Sequence, residues 1–233
     1  MFEVSNRKLI DTFVVGETPL GLAVSPDGKK LFVACAAPES TVWVIDTAMG
    51  KVLDKISAGH TALAPVLSRD GKTLYLCCRF NNCVEVIDLV SKKAVRRIRV
   101  AREPVAAALT PDGKHLLVAN HIHAGRADAD AVASKVSVID VAAGQVCREL
   151  ELPNGSTLLR DVCVSPDGRY AGVTHQIGRF HLPTTQLDRG WVNTSALTLI
   201  DLAEMKPINS VLLDNIDSGA ANPWGAAWPS CTS

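Results

Sequence analysis

The sequence predicts an all-β protein built from repeated four-stranded antiparallel sheets. A four-residue turn motif, Ser-Pro-Asp-Gly or a close variant, recurs in steps of 43, 42 and 55 residues, at residues 25–28, 68–71, 110–113 and 165–168. A second motif, usually Val-Ile-Asp, follows each copy of the first and ends at Asp46, Asp88, Asp140 and Asp201. A period in the forties with no helical stripe is typical of a β-propeller, whose blades are four short antiparallel strands.

Each repeat reads as four strands, which we name A to D from the propeller axis outward. In the first repeat, strand A is Gly-Leu-Ala-Val-Ser and leads into the turn, where Pro sets the second position, Asp suits the third and Gly relieves the fourth. Strands B, C and D follow at residues 30–35, 41–46 and 51–58. The Asp that closes each strand C recurs in every repeat, so we expect it to cap the C–D turn rather than to act in catalysis.

The 233 residues are predicted to form one domain, a partial propeller of about four blades. The predicted blades are residues 16–57, 58–100, 101–153 and 154–214. Residues 7–15 read as an orphan strand D, and residues 222–229 as an orphan strand A. Four blades with two orphan strands indicate an incomplete ring. Because an open arc would expose the apolar faces of its end blades, we expect the ring to be closed by a missing domain of a longer protein or by self-association.

The strand B sequences resemble a known repeat. They read Phe-Val-Ala-Cys, Tyr-Leu-Cys-Cys, Leu-Val-Ala-Asn and Gly-Val-Thr-His, at residues 32–35, 75–78, 117–120 and 172–175. With the turn before them and Val-Ile-Asp after them, they resemble the YVTN-repeat β-propeller family over essentially the whole chain. Residues 175–201 and 214–225 look like those of a bacterial extracytoplasmic subgroup, in which a cytochrome c-type domain often follows the propeller.

This resemblance implies a periplasmic, secreted or cell-surface location, although the residues themselves leave the native compartment open. The sequence contains no Cys-x-x-Cys-His, the motif that attaches c-type haem. If the resemblance holds, haem is therefore expected only in a missing C-terminal domain.

Composition excludes several classes of partner. Lys plus Arg and Asp plus Glu both number 24, whereas a nucleic-acid surface normally shows a basic excess. No apolar run is long enough to span a membrane. The seven cysteines include no Cys-x-x-Cys pair, which argues against a zinc ribbon or a thioredoxin motif. Cys78 and Cys83 flank a short loop, where a strained disulfide is conceivable but not expected.

One face of the predicted propeller collects the candidate site residues. The B–C and D–A connections share this face, which we call the long-loop face, and the two long insertions, residues 121–134 and 175–194, are both B–C loops. Loops on a rigid scaffold are where binding and catalysis usually occur. The candidate ligand-binding residues are His60, Arg79, Asn81, His121, His123, Arg160, Asp161, His175, Arg179, His181, Asp188 and Arg189.

Four of these residues are candidate metal ligands. His121 and His123 would point the same way in an extended segment, and His175 and His181 could add imidazoles for zinc or copper. The alternative is a polar pocket for some other ligand. Because His-x-His without a fixed third ligand is not specific, we favour that alternative.

Three functions remain open. The first is a non-enzymatic recognition or scaffold propeller that binds a partner protein or a small ligand on the long-loop face. The second, implied by the resemblance, is the propeller portion of a haem-containing redox protein. The third is a lactonase-type hydrolase that would use His60, Arg160 and Asp161. We expect the first, without enzyme activity in this chain alone, because the sequence lacks a phosphate loop and a nucleophile elbow.

Overall fold

The computed structural model describes residues 2–3, 5–178, 193–214 and 222–229. Within these residues it shows four four-stranded antiparallel sheets and a short hairpin, β1 (Phe2–Glu3) with β2 (Lys8–Leu9). The predicted all-β class, with β-propeller blades of four antiparallel strands, is confirmed. Across the same ranges, no helix is long and apolar enough to cross a membrane.

The sixteen blade strands follow the chain in order, each sheet running from its inner to its outer strand. Blade one contains β3 (Pro19–Val24), β4 (Lys30–Cys35), β5 (Ser40–Asp46) and β6 (Val52–Ala58). Blade two contains β7 (Ala62–Leu67), β8 (Thr73–Cys78), β9 (Cys83–Asp88) and β10 (Lys93–Arg99). Blade three contains β11 (Pro104–Leu109), β12 (His115–Asn120), β13 (Lys135–Asp140) and β14 (Gln145–Glu151). Blade four contains β15 (Ser156–Val164), β16 (Tyr170–Gly178), β17 (Asn193–Asp201) and β18 (Lys206–Leu212).

The blades fan about an axis. Their inner strands β3, β7, β11 and β15 contact one another in succession. The hydrophobic core lies between neighbouring blades, in clusters centred on Leu76 between blades one and two, Leu116 between blades two and three, and Leu117 between blades three and four. Because both faces of a sandwiched blade are covered, strands B and C are almost continuously buried.

The turns have the predicted geometry. In blade one, the amide of Gly28 donates to the carbonyl of Ser25, and the Ser25 hydroxyl lies 2.6 Å from the carboxylate of Asp27. Gly28 has a φ of +72°, and the fourth turn residue of the other blades is also a glycine with positive φ. The aspartates that close strands C accept backbone N–H groups in all four blades, which confirms their capping role.

The two segments that flank the blades differ from the orphan-strand prediction. Within residues 7–15 only Lys8–Leu9 forms a strand, and Phe13 and Val15 instead pack against blade one. Residues 222–229 form no strand ladder. The physical reason is that a strand A forms its backbone ladder with the strand B of its own blade. Residues 222–229 lie against the neighbouring blade four, where a strand A makes side-chain contacts, so they form no ladder there.

Candidate functional site

The long-loop face is assembled by hydrogen bonds between its B–C and D–A connections. The amide of Arg79 donates to Thr61, that of His121 to Glu103, and that of Ala36 to Thr18. These bonds show that residues 36, 79 and 121 are equivalent positions of successive blades. The two kinds of connection therefore lie on one face, as the sequence predicted.

A strained residue lies near the start of each inner strand at this face, directly before β3, β7 and β11 and at the third residue of β15. Thr18, Thr61, Glu103 and Leu158 occupy equivalent positions, and their φ angles are +50°, +52°, +56° and +51°. A left-handed backbone is unfavourable for residues with a side chain. Its repetition in all four blades makes it part of the fold, and a β-bulge follows it each time.

Two residues after each strained residue is a position that is apolar in the first three blades and charged in blade four. The equivalent positions hold Leu20, Leu63, Val105 and Arg160, so a guanidinium replaces an apolar side chain in the fourth blade. The guanidinium carbon of Arg160 lies 4.3 Å from the ring centroid of Trp224. Nε of Arg160 is buried and makes no hydrogen bond within the described ranges.

Arg79 and Glu103 form the polar contact between blades two and three. Nε and Nη2 of Arg79 lie 3.0 and 2.8 Å from the same carboxylate oxygen, Oε2 of Glu103. The Glu103 amide donates in turn to the side chain of Asn82, at 2.8 Å. Glu103 therefore binds the blade-two loop at two residues, Arg79 and Asn82.

His121 bridges blades three and four. Its Nδ1 lies 2.9 Å from the carbonyl oxygen of Leu159. Because a carbonyl can only accept, Nδ1 carries the proton and Nε2 keeps its lone pair. Burial lowers the pKa of His121, and the charges of Arg79 and Arg160 lower it further, while the Leu159 bond and Glu103 oppose the shift.

Arg79, Glu103, His121 and Arg160 thus interact across three blades, and we call these four residues the channel-mouth cluster. Two guanidinium groups, one carboxylate and a neutral imidazole give it a net positive charge. Such a group of side chains suits an anionic ligand, because a guanidinium binds a carboxylate through paired charge-assisted hydrogen bonds.

Asp161 holds the segment 222–229 on blade four. Its Oδ2 accepts the Ala226 amide at 2.9 Å, and the Trp228 indole Nε1 donates to the carbonyl of Cys163 at 3.2 Å. Asp161 is therefore a docking residue for this segment, beside the Arg160 contact with Trp224.

His60 and Asn81 meet at blade two. The His60 amide donates to the Asn81 side chain at 2.6 Å, and its ring packs edge-on against Phe80 with centroids 5.2 Å apart. His60 thus contacts blade two, whereas Arg160 and Asp161 contact residues 224 and 226 beside blade four. The three candidates for a hydrolase are divided between different blades.

His175 is fully buried inside blade four. Its Nε2 lies 2.7 Å from the Thr198 hydroxyl and its Nδ1 lies 3.2 Å from the Gln176 carbonyl, so both ring nitrogens are engaged. His123 donates from Nδ1 to the Ala133 carbonyl at 2.8 Å, and its Nε2 is buried without a partner in the described ranges.

No group of three His, Cys, Asp or Glu side chains could hold a metal ion within the residues that the structure describes. Four predicted site residues fall outside those ranges, namely Arg179, His181, Asp188 and Arg189. The zinc or copper site of His121, His123, His175 and His181 therefore stays a prediction. Metal analysis of the purified protein by mass spectrometry would test it.

Two residues of this face escaped the sequence analysis. Glu103 stands where Thr18 and Thr61 stand in earlier blades, and aligning the strained positions would have singled out its charge. Trp224 lies in residues 222–229, which the sequence predicted as an orphan strand A, and its contact with Arg160 depends on how this segment returns to blade four. No local sequence pattern predicts this contact between residues that are distant in the chain.

The chain is similar to a family model that is described as a haem domain and to curated proteins of two bacteria. The family model described as "Cytochrome D1 heme domain" matches residues 26–131. The chain is 33% identical over 150 residues to hydrazine synthase subunit beta of Kuenenia stuttgartiensis, which is 63% of this chain and 36% of that protein. It is 32% identical over 185 residues to antigen Lp49 of Leptospira interrogans, which is 76% of this chain and 30% of that protein.

A solved structure agrees with these similarities. Kuenenia stuttgartiensis hydrazine synthase matches with a TM-score of 0.85 and 30% identity, over 96% of this chain and 62% of that chain. The chain spans about a third of the length of the curated relatives. Together the similarities support a haem-related β-propeller, and they favour the haem-linked alternative of the sequence analysis over the recognition scaffold that was expected first.

Proposed function

We propose that this chain is the propeller portion of a haem-containing redox protein and that its long-loop face binds the haem or the haem-bearing partner. The observation that carries the proposal is the match of the cytochrome D1 haem-domain model to residues 26–131. The finer assignment, a YVTN-repeat propeller of the extracytoplasmic type, belongs to the same proposal. It is supported by the strand B sequences.

The channel-mouth cluster fits haem in its donor chemistry. Haem carries carboxylate groups and an iron atom that accepts an imidazole nitrogen. Nε of Arg160 is buried and lacks a partner in the described ranges, and a carboxylate would satisfy it. The bond from His121 Nδ1 to the Leu159 carbonyl is the kind of contact that orients metal-binding histidines and leaves Nε2 free to bind.

In this proposal Arg79 and Arg160 bind the carboxylates, and His121 presents Nε2. Glu103 positions Arg79 through their double contact to Oε2. Trp224 covers the Arg160 guanidinium and so excludes water from one of its faces. Bound haem would supply one-electron transfer. Because the sequence has no Cys-x-x-Cys-His, a haem held by these residues would have no such thioether link to these 233 residues.

A titration of the purified chain with ferric haem tests this function. We expect a saturable change of the Soret absorbance band with one haem per chain. His121→Ala and Arg160→Leu should each weaken binding at least tenfold. Both variants should fold, because blade one has Ala36 at the first position and blades one and two have leucine at the second.

His115→Ala is the matched control, since His115 begins β12 next to the A–B turn and should leave the affinity unchanged. Equal binding by all four proteins would mean adventitious haem adsorption. That result, or the absence of binding by the wild type, would overturn a haem site on this face.

A second candidate is a recognition propeller that binds a protein partner, and one observation favours it. Leu20, Leu22 and Val24 alternate along β3 and are 52%, 66% and 51% exposed. Such an apolar row on an inner strand is typical of a covered surface. The relative from Kuenenia is itself named as a subunit.

Sedimentation equilibrium of the chain alone tests self-association through this row. A dimer that Leu22→Lys dissociates would support it. A wild-type monomer would leave a different protein, or the haem-bearing part of a longer chain, as the partner.

A further inference from the structure

Cys78 and Cys83 lie directly opposite each other at the end of the β8–β9 hairpin. Directly opposite residues of an antiparallel pair have Cα atoms about 4.5 to 5.5 Å apart. This separation falls within the range of about 4.4 to 6.8 Å that disulfides span. Both are free thiols in this structure, and both are buried, at 0% and 6% exposure.

The surroundings of the pair distinguish its two sulfurs. The Cys78 thiol donates to the Leu76 carbonyl at 3.8 Å. Its interaction with Cys83 raises the pKa of Cys78 and lowers the pKa of Cys83. Arg97 also lowers the pKa of Cys83, while burial and Glu85 oppose that shift. Cys83 is the member of the pair with some exposure, at 6% against 0% for Cys78, and it is the one whose pKa is lowered.

The other described cysteines have no partner in register. Cys77 points to the opposite side of β8, into the core between blades two and three, and burial raises its pKa to about 12. Cys35 occupies the position in blade one that Cys78 occupies in blade two, but its cross-strand neighbour is Thr41. Cys147 and Cys163 lie in blades three and four.

We propose that Cys78 and Cys83 form a dithiol–disulfide redox site in blade two. The Cys83 thiolate attacks one sulfur of an external disulfide such as oxidised glutathione and releases one glutathione thiolate. The Cys78 thiolate then attacks the Cys83 sulfur of the mixed disulfide and releases the second. The two cysteines lose two electrons and two protons, and glutathione disulfide gains them as two thiols.

Closure of this disulfide would constrain the loop that carries Arg79. The loop is a single 3₁₀ turn, Arg79–Asn81, closed by Asn82 in a left-handed conformation. Asn82 accepts the Glu103 amide, and Arg79 contacts the Glu103 carboxylate. The redox state of blade two would thereby set the mobility of one edge of the channel-mouth cluster, whatever ligand that cluster binds.

Peptide mapping tests the site. The folded protein is incubated with oxidised glutathione or with dithiothreitol, denatured without reductant, alkylated with iodoacetamide and digested with trypsin. Cleavage after Lys72, Arg79 and Lys92 separates Cys78 from Cys83. Oxidation should therefore produce one disulfide-linked pair of peptides, residues 73–79 with residues 80–92, which dithiothreitol abolishes. The thermal midpoint should rise by a few degrees on oxidation.

Matched variants identify the sulfurs. Cys77→Ala should keep the linked pair, whereas Cys78→Ser and Cys83→Ser should each lose it together with the rise in thermal midpoint. If a variant fails to fold, fragment spectra of the wild-type linked peptides still distinguish Cys77 from Cys78. Full alkylation of all three cysteines after oxidation of the folded wild type would overturn the proposal, and so would a link to Cys77.

Discussion

Nε2 of His175 lies 2.7 Å from the hydroxyl oxygen of Thr198, and that hydroxyl lies 2.6 Å from the hydroxyl of Ser210. The three residues stand on β16, β17 and β18 and form a polar chain across blade four. The equivalent positions of blade three hold Asn120, Ser137 and Glu149, which are hydrogen bonded in the same order. Blades three and four thus keep the same cross-strand geometry with different side chains.

This equivalence supplies a matched variant for a prediction about pH. Burial lowers the pKa of His175, so the folded protein disfavours the charged ring while the unfolded chain protonates near pH ~6.5. The stabilisation is therefore complete above about pH 6.5 and is lost as the pH falls from there through the folded-state pKa. His175→Asn, which copies Asn120, should reduce this loss between pH 7.5 and 5.

Urea denaturation at several pH values measures the effect. His121, whose pKa burial also lowers, should account for a further part of the slope, and His121→Gln should remove that part. His115→Asn is the control at the opposite turns. An unchanged pH slope in His175→Asn would show that the ring takes up protons equally in the folded and the unfolded states.

In blade two the cross-strand chain contains a buried charge. Glu85 is 1% exposed and accepts hydrogen bonds from Nε of Arg97 at 2.8 Å and from the Gly59 amide at 3.0 Å. Because removing one partner of a buried charge leaves the other unsatisfied, Arg97→Ala should lower the free energy of unfolding by about 1–3 kcal/mol.

Equilibrium unfolding in urea checks this value. Lys93→Ala, an exposed cation on the same strand β10, should change the free energy by less than about 0.5 kcal/mol. Equal effects of the two substitutions would mean that Glu85 needs only a general positive charge nearby.

Substitution of Gly28 measures the cost of a positive φ in the turn separately from any steric clash. A Cβ at this position would meet no other atom within 4 Å, yet the residue has a φ of +72°. Gly28→Ala should therefore destabilise the protein by about 1–2 kcal/mol through backbone strain alone. Gly28→Asn should lose less, because asparagine tolerates the left-handed region better. Thermal unfolding measures the loss of stability. An equal loss for both substitutions would show that the positive φ is not its cause.

The turns and blades could be predicted from the sequence because their causes are local. Ser25 forms hydrogen bonds with both Asp27 and Gly28, and glycine at residue 28 permits the positive φ of the turn. All of these interactions lie within four residues, so the local pattern determines the structure. The position of Asp46 at the end of strand C predicted its capping bonds for the same reason. The long-loop face followed from connectivity, since the equivalent connections of all blades lie at the same end of the axis.

The chemistry of the face was less accessible because it depends on contacts between blades. His121 stood out as a residue type, but its bond to Leu159 joins positions of two different repeats. Glu103 entered the cluster through its contact with Arg79, which joins the residue before β11 to the loop after β8 and therefore depends on two different repeats. His175 looked like a loop ligand at the end of a short strand, yet β16 continues to Gly178 and places the imidazole inside the sheet.

Asp161 offers the sharpest test of how residues 222–229 are held. The aspartate replaces Ala64 and Ala106 of the preceding blades, and its Oδ2 accepts the Ala226 amide at 2.9 Å. A hydrogen bond to a charged group contributes about 1.5–3 kcal/mol. In Asp161→Ala, which copies the earlier blades, the amides of residues 225 and 226 should exchange hydrogen at least about tenfold faster. Hydrogen exchange with mass spectrometry should show unchanged protection in β16 of the same molecules.

If residues 225 and 226 also keep their protection, the Arg160–Trp224 and Trp228–Cys163 contacts are sufficient to hold the segment. In that case the double variant Arg160→Leu with Asp161→Ala should release it.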